Sequence, residues 1–298
     1  MSYKIVVLAK QVPDTHDVSG DVMKEDGTIN RSALPAVFNP EDLNALEMAL
    51  EIKDKYDAEI HVITMGPPSA VEILKQSLYR GADKVYLASD IKFAGSDTWA
   101  TAYSLASIIE KIAPDYDMVF AGRQAIDGDT AQVGPQVSEK LDITQITYVK
   151  TLNELNNKKA KLTRMIEGGE EVIEANFPFL ATVVDEANDP RPPEVRKMMK
   201  YKNAMTRLNF KDALHKMVKF DDEKELKNYL KNRGLLIPVI EVSDLDIDLE
   251  KIGIFGSPTK VKNIESVVLK KEKIKELQPD KNGAMQLMRE LKNAKIVG

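Results

Sequence analysis

The residues with the most chemistry in their spacing lie between Met118 and Glu139. A short apolar run, Met118 to Ala121, follows Pro114-Asp-Tyr-Asp117 and reads as a buried strand. A polar, glycine-bearing turn comes next, then a helix carrying Val133, Val137 and Leu141. Pro135 has no N–H and fits best in the first turn of that helix, so the helix is predicted to begin near Thr130 to Gln132. Free backbone N–H groups would then point back at the strand end, with Gly128 able to adopt a positive φ. A helix N-terminus facing the carboxyl end of a parallel strand is a ready phosphate site. An ordinary strand–loop–helix connection, with Asp129 or Thr130 as N-cap, accounts for the same spacing.

Other chemistries find little support. The chain contains no cysteine, which removes disulfides, thiolate zinc sites, iron–sulfur ligation within this chain and cysteine nucleophiles. His16, His61 and His215 are far apart and match no metal motif, and His61 sits in an apolar run as a strand residue would. Neither a serine nucleophile elbow nor a P-loop lysine is present. Redox chemistry on this chain therefore requires a bound organic cofactor. At 298 residues, 43% hydrophobic and 30% charged, the composition is that of a globular protein. The formal net charge of −5 leaves no electrostatic footprint for nucleic acid. No apolar run reaches the roughly 20 residues needed for membrane insertion. The opening segment reads as a first strand rather than a secretory signal, and a cytoplasmic location is expected.

The elements that must position the central stretch follow in order. Lys4 to Ala9 is a β-branched-rich strand, and Val18 to Pro35 is polar and irregular, with a small hairpin expected around Asp26-Gly27. Asn39 is a candidate N-cap and Pro40 the first residue of a helix running to about Tyr56. A strand from Glu59 to Met65, a helix from Ser69 to Tyr79 and a strand from Lys84 to Leu87 come next. A helix from about Thr98 to Ile112, capped by Ser96 or Asp97, precedes the Met118 strand. This alternation implies an α/β fold with a doubly wound, mainly parallel sheet, and ligands at the carboxyl ends of the strands. The loops after Ala9, Met65 and Ala121 should converge there. No G-x-G-x-x-G follows the first strand, so the usual dinucleotide fingerprint is missing.

From Ile146 the rhythm changes. Three alternating segments, Thr147 to Leu152, Lys161 to Ile166 and Glu171 to Ala175, read as an antiparallel meander at the sheet edge, and Phe179 to Val184 as a further buried strand. The polar, proline-rich Asp185 to Pro193 segment closes the compact part. The expected division is residues 1–187 as a nucleotide- or flavin-binding α/β domain and 188–298 as a recognition loop, an insertion and a C-terminal arm. The second part offers helices around Asp212–Met217, Asp222–Leu230 and Gly283–Lys292, and a strand within Leu235 to Val242. A long tail with little core of its own covers a partner, or folds back on its own chain.

The chain resembles the β subunit of electron-transfer flavoprotein over nearly its whole length. The resemblance is strongest in Ala121-Gly-Arg-Gln-Ala-Ile-Asp127, with Asp129 and Gln132 after it, and Asn39-Pro40, Met65-Gly66-Pro67 and Gly81-Ala-Asp83 recur in the family's order. It implies a Rossmann-like fold of the adenine-nucleotide-binding type. It places the cofactor against Leu8, Ala9 and Lys10; against Asn39, Pro40, Glu41 and Asp42; and against Met65 and Gly66. The rest of the site is the central loop: Gly122, Arg123, Gln124, Ala125, Ile126, Asp127, Gly128, Asp129, Thr130, Ala131, Gln132, Val133 and Gly134. Ala9 and Met65 would line the adenine through their backbone, and Asn39 to Asp42 would add polar contacts at its edge, unless Asn39 merely caps its helix. The backbone from Gly128 to Gln132 would hold the phosphates, while Asp127 and Asp129 would cap N–H groups or bind hydroxyls. Arg123 would balance phosphate or reduced-flavin charge, or form a surface salt bridge. No catalytic acid–base residue and no metal are expected.

Housekeeping members of the family keep AMP as a structural nucleotide in this site. Electron-bifurcating members bind a second FAD there, take hydride from NADH, and send electrons to the α-subunit FAD and to ferredoxin or flavodoxin. Lys10-Gln-Val-Pro-Asp-Thr15 and Asp127-Gly-Asp-Thr-Ala-Gln-Val-Gly134-Pro135 resemble the bifurcating group, since housekeeping β subunits tend to carry a second acidic residue where Gly128 stands. The resemblance also implies an α-subunit partner and a flavin-dependent dehydrogenase that docks on the Asp185 to Lys200 segment. Val195 falls at the docking anchor, where the family often has leucine. Leu245 to Leu249 resembles the start of the arm that wraps the α subunit. Lys202 to Leu236 fits no common pattern and reads as an insertion. A non-redox adenine-nucleotide-binding module is the rival class; it would need neither the docking segment nor the tail.

Overall fold

The computed structural model describes residues 2–14, 35–156, 158–216, 220–260 and 276–293. The hairpin expected around Asp26-Gly27 lies outside the described residues. The elements run β1 (Tyr3–Leu8), β2 (Gln11–Pro13), β3 (Ala36–Phe38), α1 (Pro40–Lys55), β4 (Ala58–Met65), α2 (Val71–Arg80) and β5 (Lys84–Ala88). There follow α3 (Thr98–Ile112), β6 (Met118–Gly122), α4 (Val133–Lys140), β7 (Thr144–Leu155), β8 (Lys159–Ile166), β9 (Gly169–Asn176) and β10 (Phe179–Val183). The remainder holds α5 (Val195–Tyr201), α6 (Phe210–Lys216), α7 (Glu223–Asn232), β11 (Val239–Ile240), α8 (Gly253–Gly256) and α9 (Lys281–Asn293).

One sheet has the strand order β11-β5-β4-β1-β6-β10-β7-β8-β9. Pairing is parallel from β11 through β7 and antiparallel for β7–β8 and β8–β9, which is the edge meander. The central strands read as near-continuous apolar runs because both of their faces are covered. The two-residue side-chain period then sorts them: Ile5, Val7, Met118 and Phe120 join the core under α1 and α2. Val6, Leu8, Val119 and Ala121 join the core under α3 and α4. Phe120 and Phe179 meet edge-on in the first core, ring centres 6.4 Å apart.

The path of the chain explains where a ligand fits. From β1 it moves outward through β4 to β5, then returns to lay β6 on the other flank of β1. Connections leave in opposite directions at the β1/β6 boundary, which opens a crevice at the carboxyl ends of these strands.

The stretch after α5 folds back on its own chain. Ala204, Phe210, Leu226, Leu230, Leu235 and Ile237 are buried in the core under α1 and α2. The strand expected within Leu235 to Val242 forms only as Val239–Ile240, added in parallel beside β5. Asp222 caps α7 by accepting the Glu225 N–H at 2.8 Å. On α9, by contrast, Met285 and Met288 lie exposed.

Candidate functional site

The first turn of α1 builds the crevice from behind. Asn39, Glu41 and Asp42 are polar, yet only 0%, 6% and 7% exposed. Burial of such groups is tolerable only when their hydrogen bonds are made. Here their partners are almost all backbone groups of the loops after β1 and β6. Asp42 accepts the N–H of Lys10 on Oδ2 and the N–H of Gly122 on Oδ1, each at 2.9 Å. Glu41 accepts the Gln124 N–H at 2.8 Å and pairs with the Arg123 guanidinium at 2.6 Å. Asn39 accepts the Ile126 N–H at 3.1 Å and donates to the Gln124 carbonyl at 2.9 Å.

These contacts decide two readings left open by the sequence. Asn39 precedes α1 but makes no side-chain cap bond. Its amide is committed across the crevice to the β6 loop. Arg123 forms an ion pair, and it is with the buried Glu41, which holds the guanidinium above its ordinary pKa. The Arg123 plane also lies 5.7 Å from the Tyr148 ring centre. Asp42 is pushed up to about 7 by burial, against the pull of the two N–H groups, of Asn39 and of Lys10.

The front of the site is the loop from Ala125 to Gln132. The N–H groups of Gly128 and Asp129 return to the Ala125 carbonyl at 3.2 and 2.9 Å. Positive φ falls on Asp129 (47°) and Ala131 (51°), not on Gly128 as the sequence suggested. An alanine in this region is strained, which marks the loop as shaped by its surroundings. Gly128 instead sits at the crest, where an added Cβ meets nothing within 4 Å. Helix α4 starts at Val133 with Gln132 as its N-cap residue; neither Asp129 nor Thr130 caps it, and Gln132 brings no side-chain cap. Gln132 accepts a hydrogen bond from the Thr98 hydroxyl at 3.0 Å, tying the loop to α3.

Across the crevice, the Lys10 ammonium bonds both Asp127 oxygens at 2.8 Å. Gln11 and Ser69 exchange two hydrogen bonds, 3.1 and 3.0 Å, joining the β1 loop to the β4 loop. The N–H groups of Ala9 and Gly66 are engaged by the Ile63 and Ala88 carbonyls. Asp129 accepts from the Gln124 side chain at 3.1 Å. Leu8, Ala9, Lys10, Met65, Gly66 and Gly122 to Gly134 therefore gather at one end of the sheet. Asn39, Glu41 and Asp42 stand behind them as braces, whereas Pro40 is exposed and begins α1.

Two close approaches escaped the sequence reading. A Cβ on Gly122 would fall 2.5 Å from Asp42 Oδ1 and 2.7 Å from backbone atoms of Asp42 and Glu41. A Cβ on Gly134 would fall 2.6 Å from Thr182 Cγ2, where α4 lies on β10. The signals in the sequence were a glycine ending an apolar strand and a glycine beside Pro135 in a first helical turn.

A second assembly lies on the far flank of α1. Asn44 donates to the Asn188 carbonyl at 2.7 Å, and Glu47 accepts from the Arg191 N–H and guanidinium at 2.9 Å. Arg191 also reaches Asp54 at 2.8 Å, and the Glu194 N–H reaches the Tyr79 carbonyl at 3.0 Å. The segment so anchored leads into α5, where Val195 is 73% and Met199 63% exposed.

A doubly wound sheet with a braced loop at its switch point defines a Rossmann-like α/β protein. Within that class the chain belongs to the electron-transfer flavoprotein β-subunit family. The family model for the electron transfer flavoprotein domain matches residues 26–212. The β subunit of electron transfer flavoprotein from Clostridium acetobutylicum is 40% identical over 97% of both chains. Subunit CarD of the caffeyl-CoA reductase–Etf complex of Acetobacterium woodii is 48% identical over 70% of this chain and 79% of its own. The electron transfer subunit gamma of acryloyl-CoA reductase from Anaerotignum propionicum is 39% identical over 87% of this chain and 86% of its own. No helix among the described residues is long and apolar enough to cross a membrane.

Proposed function

We propose that this chain is the β subunit of a heterodimeric, electron-bifurcating electron-transfer flavoprotein. In this reading it binds FAD in the crevice between the β1, β4 and β6 loops. NADH is the electron donor. One electron passes to the FAD of the α subunit, towards a flavin-dependent dehydrogenase, and the other to ferredoxin or flavodoxin. The carrying observation is the loop from Gly122 to Gln132, held from behind by Asn39, Glu41 and Asp42 and open in front at Gly128. Two relatives whose names place them in CoA-ester reductase complexes support the same reading.

FAD, when bound, supplies the hydride and electron chemistry. The chain supplies position and charge. Backbone N–H groups at the start of α4 would hold the pyrophosphate, and Lys10, a half-exposed cation paired with Asp127, would add positive charge from the β1 loop. Arg123, neutralised by Glu41, shapes the loop rather than acting as a free cation. Residues 1–187 then form the flavin-binding domain. Residues 188–298 add the docking segment, the insertion packed under α1 and α2, and the arm. The dehydrogenase docks on α5, with Val195 as its anchor and Met199 beside it.

The test is flavin stoichiometry of the chain co-purified with its α subunit. Two FAD per heterodimer, bleached by NADH and followed by ferredoxin reduction, is the expected result. One FAD with one AMP would return the chain to the housekeeping group. A site-directed check sits at the crest: Gly128→Glu is expected to keep the thermal midpoint, because its Cβ enters open space. Its carboxylate would meet the ligand phosphates and weaken FAD retention by about tenfold or more. Wild-type flavin content in that variant would remove the loop from the site.

A further inference from the structure

Asp42 is the buried carboxylate on which the two loops of the crevice meet. It receives one N–H from each: Lys10, just past the end of β1, and Gly122, the last residue of β6. These strands flank the switch point, so the Asp42 carboxylate sets the spacing between the β1 and β6 loops. An ionised carboxylate offers an acceptor oxygen to each N–H. A protonated carboxyl turns one of those oxygens into a donor and gives up a partner.

The charged groups around it are otherwise engaged. Lys10 faces it from the β1 loop and is paired with Asp127 of the β6 loop. Glu41, on its own turn, is paired with Arg123 and with the Gln124 N–H. Asn39 is the remaining polar neighbour.

We propose that Asp42 is a proton-sensitive positioning residue: its ionised carboxylate holds the β1 and β6 loops at the separation the nucleotide requires, and proton uptake releases one loop and lowers nucleotide affinity. The proposal rests on the reading of the crevice as a nucleotide site. The burial that pushes Asp42 to about 7 places the transition near neutral pH.

Two consequences have opposite signs. The folded-state pKa lies above the unfolded value of 3.8, so the folded protein takes up this proton before the unfolded chain does. As pH falls through about 7, this group's contribution to fold stability therefore rises. Over the same interval FAD affinity falls. A residue needed only for folding would move both quantities together.

The experiment titrates the full-length chain with FAD, whose pyrophosphate keeps its charge through the neutral range. Binding is read by quenching of Trp99, the chain's single tryptophan, which lies beside the Thr98–Gln132 contact. Wild type is expected to lose about tenfold in affinity between about pH 8 and about pH 6, the loss of one charge-assisted N–H bond. Asp42→Asn, a neutral isostere, is expected to bind with the low-pH affinity at both values. A wild-type affinity that is flat with pH overturns the proposal, whether or not the variant folds. The same pH dependence retained in Asp42→Asn also overturns it. FAD binding that fails at both pH values overturns the reading of the crevice as an FAD site, and the clamp with it.

Discussion

Gly122→Ala is expected to abolish nucleotide binding and to destabilise the fold by about 3 kcal/mol. The reason is the contact that makes the site. Gly122 ends β6 against the first turn of α1, and a Cβ there would fall 2.5 Å from Asp42 Oδ1 and 2.7 Å from both Asp42 N and Glu41 C. The carboxylate oxygen could rotate away, but the two backbone atoms belong to a helix packed on the sheet. Separation of α1 from β6 is the remaining escape. It stretches the Gly122–Asp42 bond and, through the same turn, the Gln124–Glu41 and Ile126–Asn39 bonds. Overpacking of this kind typically costs 1–3 kcal/mol, and each buried N–H left without a partner adds to it. Thermal or denaturant unfolding measures the first effect and flavin content the second. A stable Gly122→Ala variant with normal flavin content would mean that α1 does not template the loop.

The second large effect is expected at Arg191. Replacement by leucine leaves Glu47, whose side chain is 7% exposed, with only the backbone N–H of residue 191 as a partner from that segment. Removing one member of a buried pair is worth roughly 3–5 kcal/mol; because the Arg191 side chain is 30% exposed, about 2 kcal/mol is expected here. The Asp54 contact goes as well. The segment leading to α5 loses its ion pairs to α1, so electron transfer to the dehydrogenase should slow by about tenfold while flavin content stays normal. Val195→Asp separates the two causes. Val195 is 73% exposed, so that variant should lose docking without losing stability. Unchanged dehydrogenase kinetics in both variants would remove α5 from the docking surface.

The central sheet could be read from the chain because its strands are covered on both faces. Met118 to Ala121 and Ile5 to Leu8 are apolar throughout, and such runs admit few alternatives once helices separate them. Pro135 placed α4 to within a few residues, since a residue without an N–H is confined to a first helical turn. The meander was equally accessible, its alternation of apolar and polar residues being the mark of a sheet edge with one wet face.

The tail was not accessible in the same way. Leu226 and Leu230 are spaced for a helix, but nothing local states that they lie under α1 and α2. Two residues of β11, Val239 and Ile240, are too few to show a period. The positive φ at Asp129 and Ala131 was hidden for a related reason: sequence assigns such geometry to the nearest glycine, whereas the braces on the loop impose it elsewhere.

The sequence by itself determined the layered α/β architecture, the position of the strand, loop and helix after Met118, and the family, because periodicity, proline placement and motif spacing are local properties. Only the tertiary structure decided what Asn39, Glu41 and Asp42 do. In the sequence they read as a helix start and as polar contacts at the edge of the nucleotide. Brought against β6, they become the partners of N–H groups about 80 residues away. That pairing depends on how α1 crosses the sheet, and no spacing within the chain encodes it.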